Sequence, residues 1–286
     1  MFAKSKAALL GVLFLAGVSA PAAAADLYEP PVVPAPAYQP VETGGWYIRG
    51  DVDYHWSKMR GANYITYGAP CGVGCTPGND FDSTKLKGSW SLGLGAGYKI
   101  NSYLRTDLTA DYWFKSDFTG KSSSAGPCGG GAGPCSSVDK SSMSALLLLA
   151  NAYVDLGTWH GVTPYLGAGI GGAHVKWDDF KGTDSSGATS VEDGASDWRF
   201  AYALMAGASY CLTHNLDLDI GYRFTHIQGG KIFKYTASSN VGPGYDDGMN
   251  VHEVRAGLRY NFGGSNRDGC GEQMAYVPPE PAPVYK

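Results

Sequence analysis

Hydrophobic and polar residues alternate strictly along eight stretches of the chain. In the first, Trp46, Ile48, Val52, Tyr54 and Trp56 share one face with Gly50, while Tyr47, Arg49, Asp51, Asp53 and His55 share the other. This is the period-two signature of a strand with one greasy and one polar side. The same pattern predicts strands over residues 46–56, 90–100, 104–114, 144–155, 164–177, 198–210, 216–224 and 251–262. Tight connections at 101–103, 157–161 and 212–215 alternate with long loops rich in Gly, Ser and Asp at 60–87, 121–140, 178–197 and 228–248. Short turns at one end and long loops at the other are the asymmetry of transmembrane barrels. The expected fold class is therefore all-β: an eight-stranded antiparallel transmembrane β-barrel.

Two strands fit less cleanly. Leu146, Leu147, Leu148 and Leu149 fill both faces of the fourth, and the fifth is expected to change phase between Ile170 and Val175 through a bulge at Gly171 and Gly172.

Alternation does not say which face is inside, because a soluble binding barrel such as a lipocalin alternates with its apolar face inward. The polar face decides. It uses mainly Arg and Asp, where a solvated face prefers flexible Lys and Glu. Arg49, Lys99, Arg105, Lys115, Arg199, Arg223, Arg255 and Arg259 stand against Asp51, Asp53, Asp107, Asp111, Asp155, Asp217, Asp219 and Glu253. A balanced set suits pairing in a confined lumen, where an unpaired charge is costly. Gly93, Gly95, Gly97, Gly167 and Gly169 on the same face leave room for long side chains. Trp46, Trp56, Trp90, Trp198, Tyr210, Tyr222 and Phe262 cluster at strand ends, where interfacial girdles belong. Eight strands enclose space for side chains only, so a charge-filled lumen argues against a wide pore.

Composition bounds the rest. The chain has 286 residues with 41 Gly, 19 Tyr, 17% charged residues and a net charge of −4, which argues against a nucleic-acid partner. Residues 1–24 read as a signal peptide: Lys4 and Lys6, an apolar core, then small residues suited to cleavage. Residues 25–44 form a Pro-rich linker, 45–262 the barrel, and 263–286 a second Pro-rich tail. No apolar run approaches the roughly 20 residues of a membrane helix, so strands must do the spanning.

Candidate chemistry is sparse. Gly167, Gly169 and Gly172 fit a dinucleotide fingerprint in spacing, but a strand follows where a helix is required. His55 beside Asp51 and Asp53 reads as part of a luminal hydrogen-bond network. His160, His174, His214, His226 and His252 show no ligand spacing. No nucleophile cluster stands out; neither catalysis nor a cofactor or metal is expected. Six cysteines in an exported chain meet an oxidising compartment. Local pairing would join Cys71 to Cys75 and Cys128 to Cys135 within the first two long loops, and Cys211 to Cys270 beneath the barrel.

The residues Gly45, Trp46, Tyr47, Arg49 and Gly50, the segments 105–112 and 151–157, the run Thr163, Pro164, Tyr165 with Gly167 and Gly169, and the last strand carry a resemblance. Together they resemble the small outer-membrane β-barrel proteins of alphaproteobacteria, the OmpA-like surface antigens of Brucella and rhizobia often labelled porin family. The resemblance implies residence in outer-membrane lipid, a role in envelope integrity, and contact with the barrel assembly machinery through Tyr260 and Phe262. That terminal signal is internal here rather than at the chain end. It further implies a mature N-terminus at Ala25 and Asp26 that L,D-transpeptidases join to peptidoglycan, the alternative being a free tail. An even strand count would leave both termini in the periplasm and the long loops outside, open to a host surface, a phage or a small ligand such as haem. A narrow channel is the third reading.

Overall fold

Aromatic and β-branched residues on alternating positions, interrupted by Gly and Asn, make most of the described residues strand. The computed structural model describes residues 44–66, 78–124, 134–239 and 241–263. In chain order its strands are β1 (Gly45–Met59), β2 (Ala62–Thr66), β3 (Gly78–Asp80), β4 (Ser83–Leu86), β5 (Ser89–Lys99), β6 (Leu104–Ser124), β7 (Cys135–Asp155) and β8 (Val162–Trp177). There follow β9 (Phe180–Asp184), β10 (Thr189–Glu192), β11 (Ser196–Cys211), β12 (Leu216–Ile227), β13 (Gly230–Phe233), β14 (Val241–Asp246) and β15 (Met249–Asn261).

Eight of these pair antiparallel in a ring, β1-β5-β6-β7-β8-β11-β12-β15, with β15 returning to β1. The fold is the all-β, eight-stranded antiparallel transmembrane barrel that the alternation indicates. Its short turns are held by local chemistry. The Asn101 side chain accepts from the backbone N–H of Tyr103 and Leu104 at 2.9 and 2.8 Å, an Asx turn. The turn between β7 and β8 needs Gly157 and Gly161 at φ +105° and +81°, which a Cβ would strain.

Register and burial settle the orientation of the faces. On β1 the odd residues Tyr47, Arg49, Asp51, Asp53 and His55 are buried, whereas Trp46, Ile48, Val52, Tyr54 and Trp56 are exposed. Leu94 is 72% and Leu108 68% exposed at mid-height, so a belt of bare aliphatic surface encircles the ring. Such a belt has no place in water and matches acyl chains. From Trp46 to Trp56 the backbone rises ten steps of ~3.3 Å, and a tilt of ~40° gives a band roughly 25 Å tall.

The structure corrects three expectations. The long loops are not unstructured spans. β2, β3, β13 and β14 form a second, four-stranded sheet, β9 pairs onto β7 and carries β10 on its other edge, and β4 pairs onto β6. The β6–β7 hairpin runs from Leu104↔Val154 to Ser124↔Cys135, far past the aromatic girdle. Second, β8 keeps one phase throughout, with no register shift against β7 or β11 at Gly171 and Gly172. The apparent change arises because the interior itself changes: near the short turns the inward positions are Gly and polar, whereas Ala173, Val175 and Trp177 enter an apolar upper core with Met143, Leu147, Ile227 and Met249. Leu147 and Leu149 likewise point in and Leu148 out. Third, Lys115 is not luminal. A bulge in β6 between Trp113 and Ser116 inverts the parity, and Lys115 stands exposed, paired with Asp178 at 2.5 Å.

Candidate functional site

Inside the lower and middle barrel, charged side chains at inward positions of β1, β6, β7, β12 and β15 converge in ion pairs. Arg223 of β12 is fully buried and grips Glu253 of β15 with Nε and one terminal nitrogen, at 2.5 and 2.9 Å. Its other nitrogen reaches Asp111 of β6 at 3.0 Å, and Asp53 of β1 lies 3.7 Å away. Arg255 bridges Asp51, Asp53 and Asp111 at 2.9, 3.3 and 3.3 Å. Arg49 holds Asp51 at 2.7 Å and Asp107 at 3.5 Å, and donates to the Tyr153 hydroxyl of β7. The forked guanidinium suits this setting because one cation can satisfy several carboxylates at once.

Nearer the short turns, Arg259 pairs with Asp217 at 3.0 Å and Asp219 at 3.4 Å, and donates to Ser209. Arg105 pairs with Asp155 at 3.0 Å while its guanidinium lies 4.1 Å from the Tyr153 ring centre and 4.7 Å from that of Tyr165. Burial of each charge is offset here by a carboxylate on one side and ring faces on the other. Asn151 donates to Asp107 and Thr109, and the Tyr47 hydroxyl donates to Asp107.

Small residues make the space. A Cβ on Gly93 would collide with Asp111, on Gly257 with Asp51, and on Gly97 with Tyr47. These glycines are needed for volume rather than for turn geometry.

The structure thus brings together Arg49, Asp51, Asp53, Asp107, Asp111, Arg223, Glu253 and Arg255 at mid-barrel, and Arg105, Asp155, Asp217, Asp219 and Arg259 below them. Arg199 stands apart at the upper rim. It pairs with Asp197 at 2.9 Å and Asp246 at 2.5 Å, donates to the Lys231 carbonyl, and so latches β14 and β13 to β11. Its expected place among the luminal charges is corrected by the loop strands folding over it. His55 is buried but stacks on Trp113, with ring centres 4.7 Å apart, and faces Ser116 rather than Asp51 or Asp53. Tyr47 and Ser209 lie inward as their place on the polar face predicts, whereas Asn151, Tyr153 and Tyr165 were not anticipated as members; their inward parity was the available signal.

The decisive contact is Arg223 to Asp111. β12 and β6 lie on opposite sides of the eight-strand ring, so this 3.0 Å bond crosses the whole lumen. The outer membrane protein beta-barrel domain family matches residues 10–262. The chain belongs to this family. Relatives in it include an uncharacterized protein of Brucella suis, 38% identical, covering 84% of this chain and 93% of its own length. One of Brucella abortus is 39% identical with the same coverage. The crystal structure of Neisserial surface protein A covers 77% of this chain and 100% of its own at 22% identity and a TM-score of 0.40, a likeness too distant to carry function. Membership of the family places the chain in the outer membrane.

Tyr260 and Phe262 stand exposed with their rings edge to face at 5.4 Å, and the Phe262 N–H donates to the Trp46 carbonyl. Cys135 opens β7 and Cys211 closes β11. Cys71, Cys75, Cys128, Cys270, Ala25 and Asp26 lie outside the described residues.

Proposed function

We propose that this protein is a structural outer-membrane barrel whose lumen is plugged by its own side chains and which supports the envelope rather than passing solutes. The single observation that carries this reading is the Arg223 to Asp111 bridge, which spans the ring at mid-barrel between two fully buried side chains. Above it, Trp113, Met143, Leu147 and Trp177 add an apolar stopper. The reading assigns no catalysis. In planar bilayers the folded protein is expected to give no steady conductance above the bare-membrane level. A stable current with solute permeability would overturn the plug and favour the narrow-channel reading.

In this proposal both termini face the periplasm, the long loops face outward, and the Pro-rich segment 25–44 spans towards the wall with Ala25 as the peptidoglycan attachment point made by an L,D-transpeptidase. Prolines keep such a segment extended at ~3.1 Å per residue, which gives it reach. Muropeptide analysis of cell walls is expected to find a peptide beginning Ala25-Asp26 joined to peptidoglycan; recovery of the free amine alone would end the tether while leaving the barrel. Tyr260 and Phe262, outward at the end of β15, suit recognition by the assembly machinery. The cysteine pairs belong to the same proposal. Intact mass before and after reduction and alkylation checks them.

A second reading, surface binding, is favoured by the order of the loop region. Its strands enclose an aromatic core of Tyr64, Phe81, Phe118, Phe180 and Phe233, where a mere spacer would need no such packing. Host or phage contact would use this platform.

A further inference from the structure

The loop strands line a half-open cavity of about 210 Å³ between the two sheets, clear of the luminal network. One side is aromatic. The rings of Tyr64 and Phe81 lie 5.2 Å apart, and those of Phe180 and Phe233 5.0 Å apart, so their faces and edges wall it. The opposite side presents two carboxylates, Asp139 of β7 and Glu192 of β10, brought together because β9 pairs with both strands.

The polar groups here are arranged for a positive guest. Glu192 is only 4% exposed, with the Ser190 and Ser239 hydroxyls beside it. Asp139 takes one from Ser137 at 3.3 Å. Among the described residues no Lys or Arg forms an ion pair with either, in contrast to every buried carboxylate pair in the lumen. Burial pushes the Asp139 carboxyl up to about 6, with the Glu192 charge adding to it, and burial raises Glu192 as well. Tyr64 is the other titratable group facing them. A buried acid and a half-buried one that repel each other beside ring faces form an environment that a cation relieves twice, by charge pairing and by the ring quadrupoles.

We propose that this cavity is a binding site for a small organic cation, an amine or quaternary ammonium group, held between Asp139 and Glu192 with its alkyl groups against Tyr64, Phe81, Phe180 and Phe233. Its volume lies below the range of pockets for drug-sized ligands, so it admits a headgroup-sized molecule and excludes haem or a peptide chain. The site is independent of the plug, and a conducting lumen would leave it untouched.

Calorimetric titration of choline chloride into the full-length protein, folded in a maltoside detergent, tests it. Saturable binding is expected, with dimethylbutanol, the uncharged isostere of choline, about tenfold weaker or more. Glu192→Gln is expected to weaken choline by a similar factor in protein that still shows the folded band on unheated gels. The comparison of choline with its isostere needs no variant and stands if Glu192→Gln does not fold. Absence of choline binding, equal binding of the isostere, uptake of calcium or magnesium chloride in place of choline, or an unchanged affinity in folded Glu192→Gln would each overturn the proposal.

Discussion

Replacing Arg223 with Met is expected to destabilise the folded barrel by about 3–5 kcal/mol, the range for removing one partner from a buried ionic cluster. The cost comes less from the lost bonds than from what remains. Glu253, Asp111 and Asp53 are all fully buried and converge on this one guanidinium. Without it, three carboxylates share a volume whose nearest other cation, Arg255, already spans Asp51, Asp53 and Asp111. Met keeps much of the volume, so packing loss is small and the electrostatic part is isolated. Equilibrium urea unfolding in phospholipid vesicles, followed by the folded-to-unfolded shift on unheated gels, gives the difference. Adding Asp111→Asn and Glu253→Gln to Arg223→Met should recover part of it, because neutral amides can be buried with fewer partners. A loss below about 1 kcal/mol would mean that the charges are hydrated independently and that the network does not hold the ring.

The second large effect is expected on the opposite face of the wall. Leu94 sits at mid-height on β5, 72% exposed, opposite Gly50 on β1 and Ala110 on β6. Leu94→Arg would place a cation at the bilayer midplane, at a cost of about 2–4 kcal/mol. The same substitution at Trp56 or Phe262, in the girdles, should cost far less, because the side chain reaches water. The informative quantity is the depth profile measured by the same unfolding assay. A flat profile would indicate that the belt faces something other than acyl chains.

The barrel was legible in the sequence because a wall with lipid on one side and fixed charges on the other imposes period two over ten residues at a time. Trp46 to Trp56 and the Arg/Asp rows opposite them leave no other strand pairing that buries the charges. The loop region was not legible for the opposite reason. β2, β9, β13 and β14 are four to six residues long, and each places only one to three apolar side chains, such as Tyr64, Phe180, Phe233 or Val241, in the shared core. A pattern that short lies beneath any periodicity test, and Gly and Ser between the strands read as loop.

Local misassignments had equally local causes. Lys115 follows the alternation of β6 on paper, and only the bulge before Ser116 turns it outward. Arg199 shares parity with the luminal residues, yet Asp246, nearly fifty residues away in sequence, captures it at the rim. In β8 the shift from Gly169 to Val175 was a change of interior chemistry with depth rather than of phase.

Site-directed spin labelling tests the central claim most directly. Cysteines placed singly at Val52, Leu94, Leu108 and Ile220, and at Ser91, Thr109, Ser209 and Thr225, sample both sides of the wall in vesicles. The first four labels should collide freely with oxygen and scarcely with a polar nickel chelate, while the second four should be immobile and shielded from oxygen. The reverse assignment, or chelate contact along the first set, would contradict a wall that turns its apolar side to lipid and its ion pairs inward.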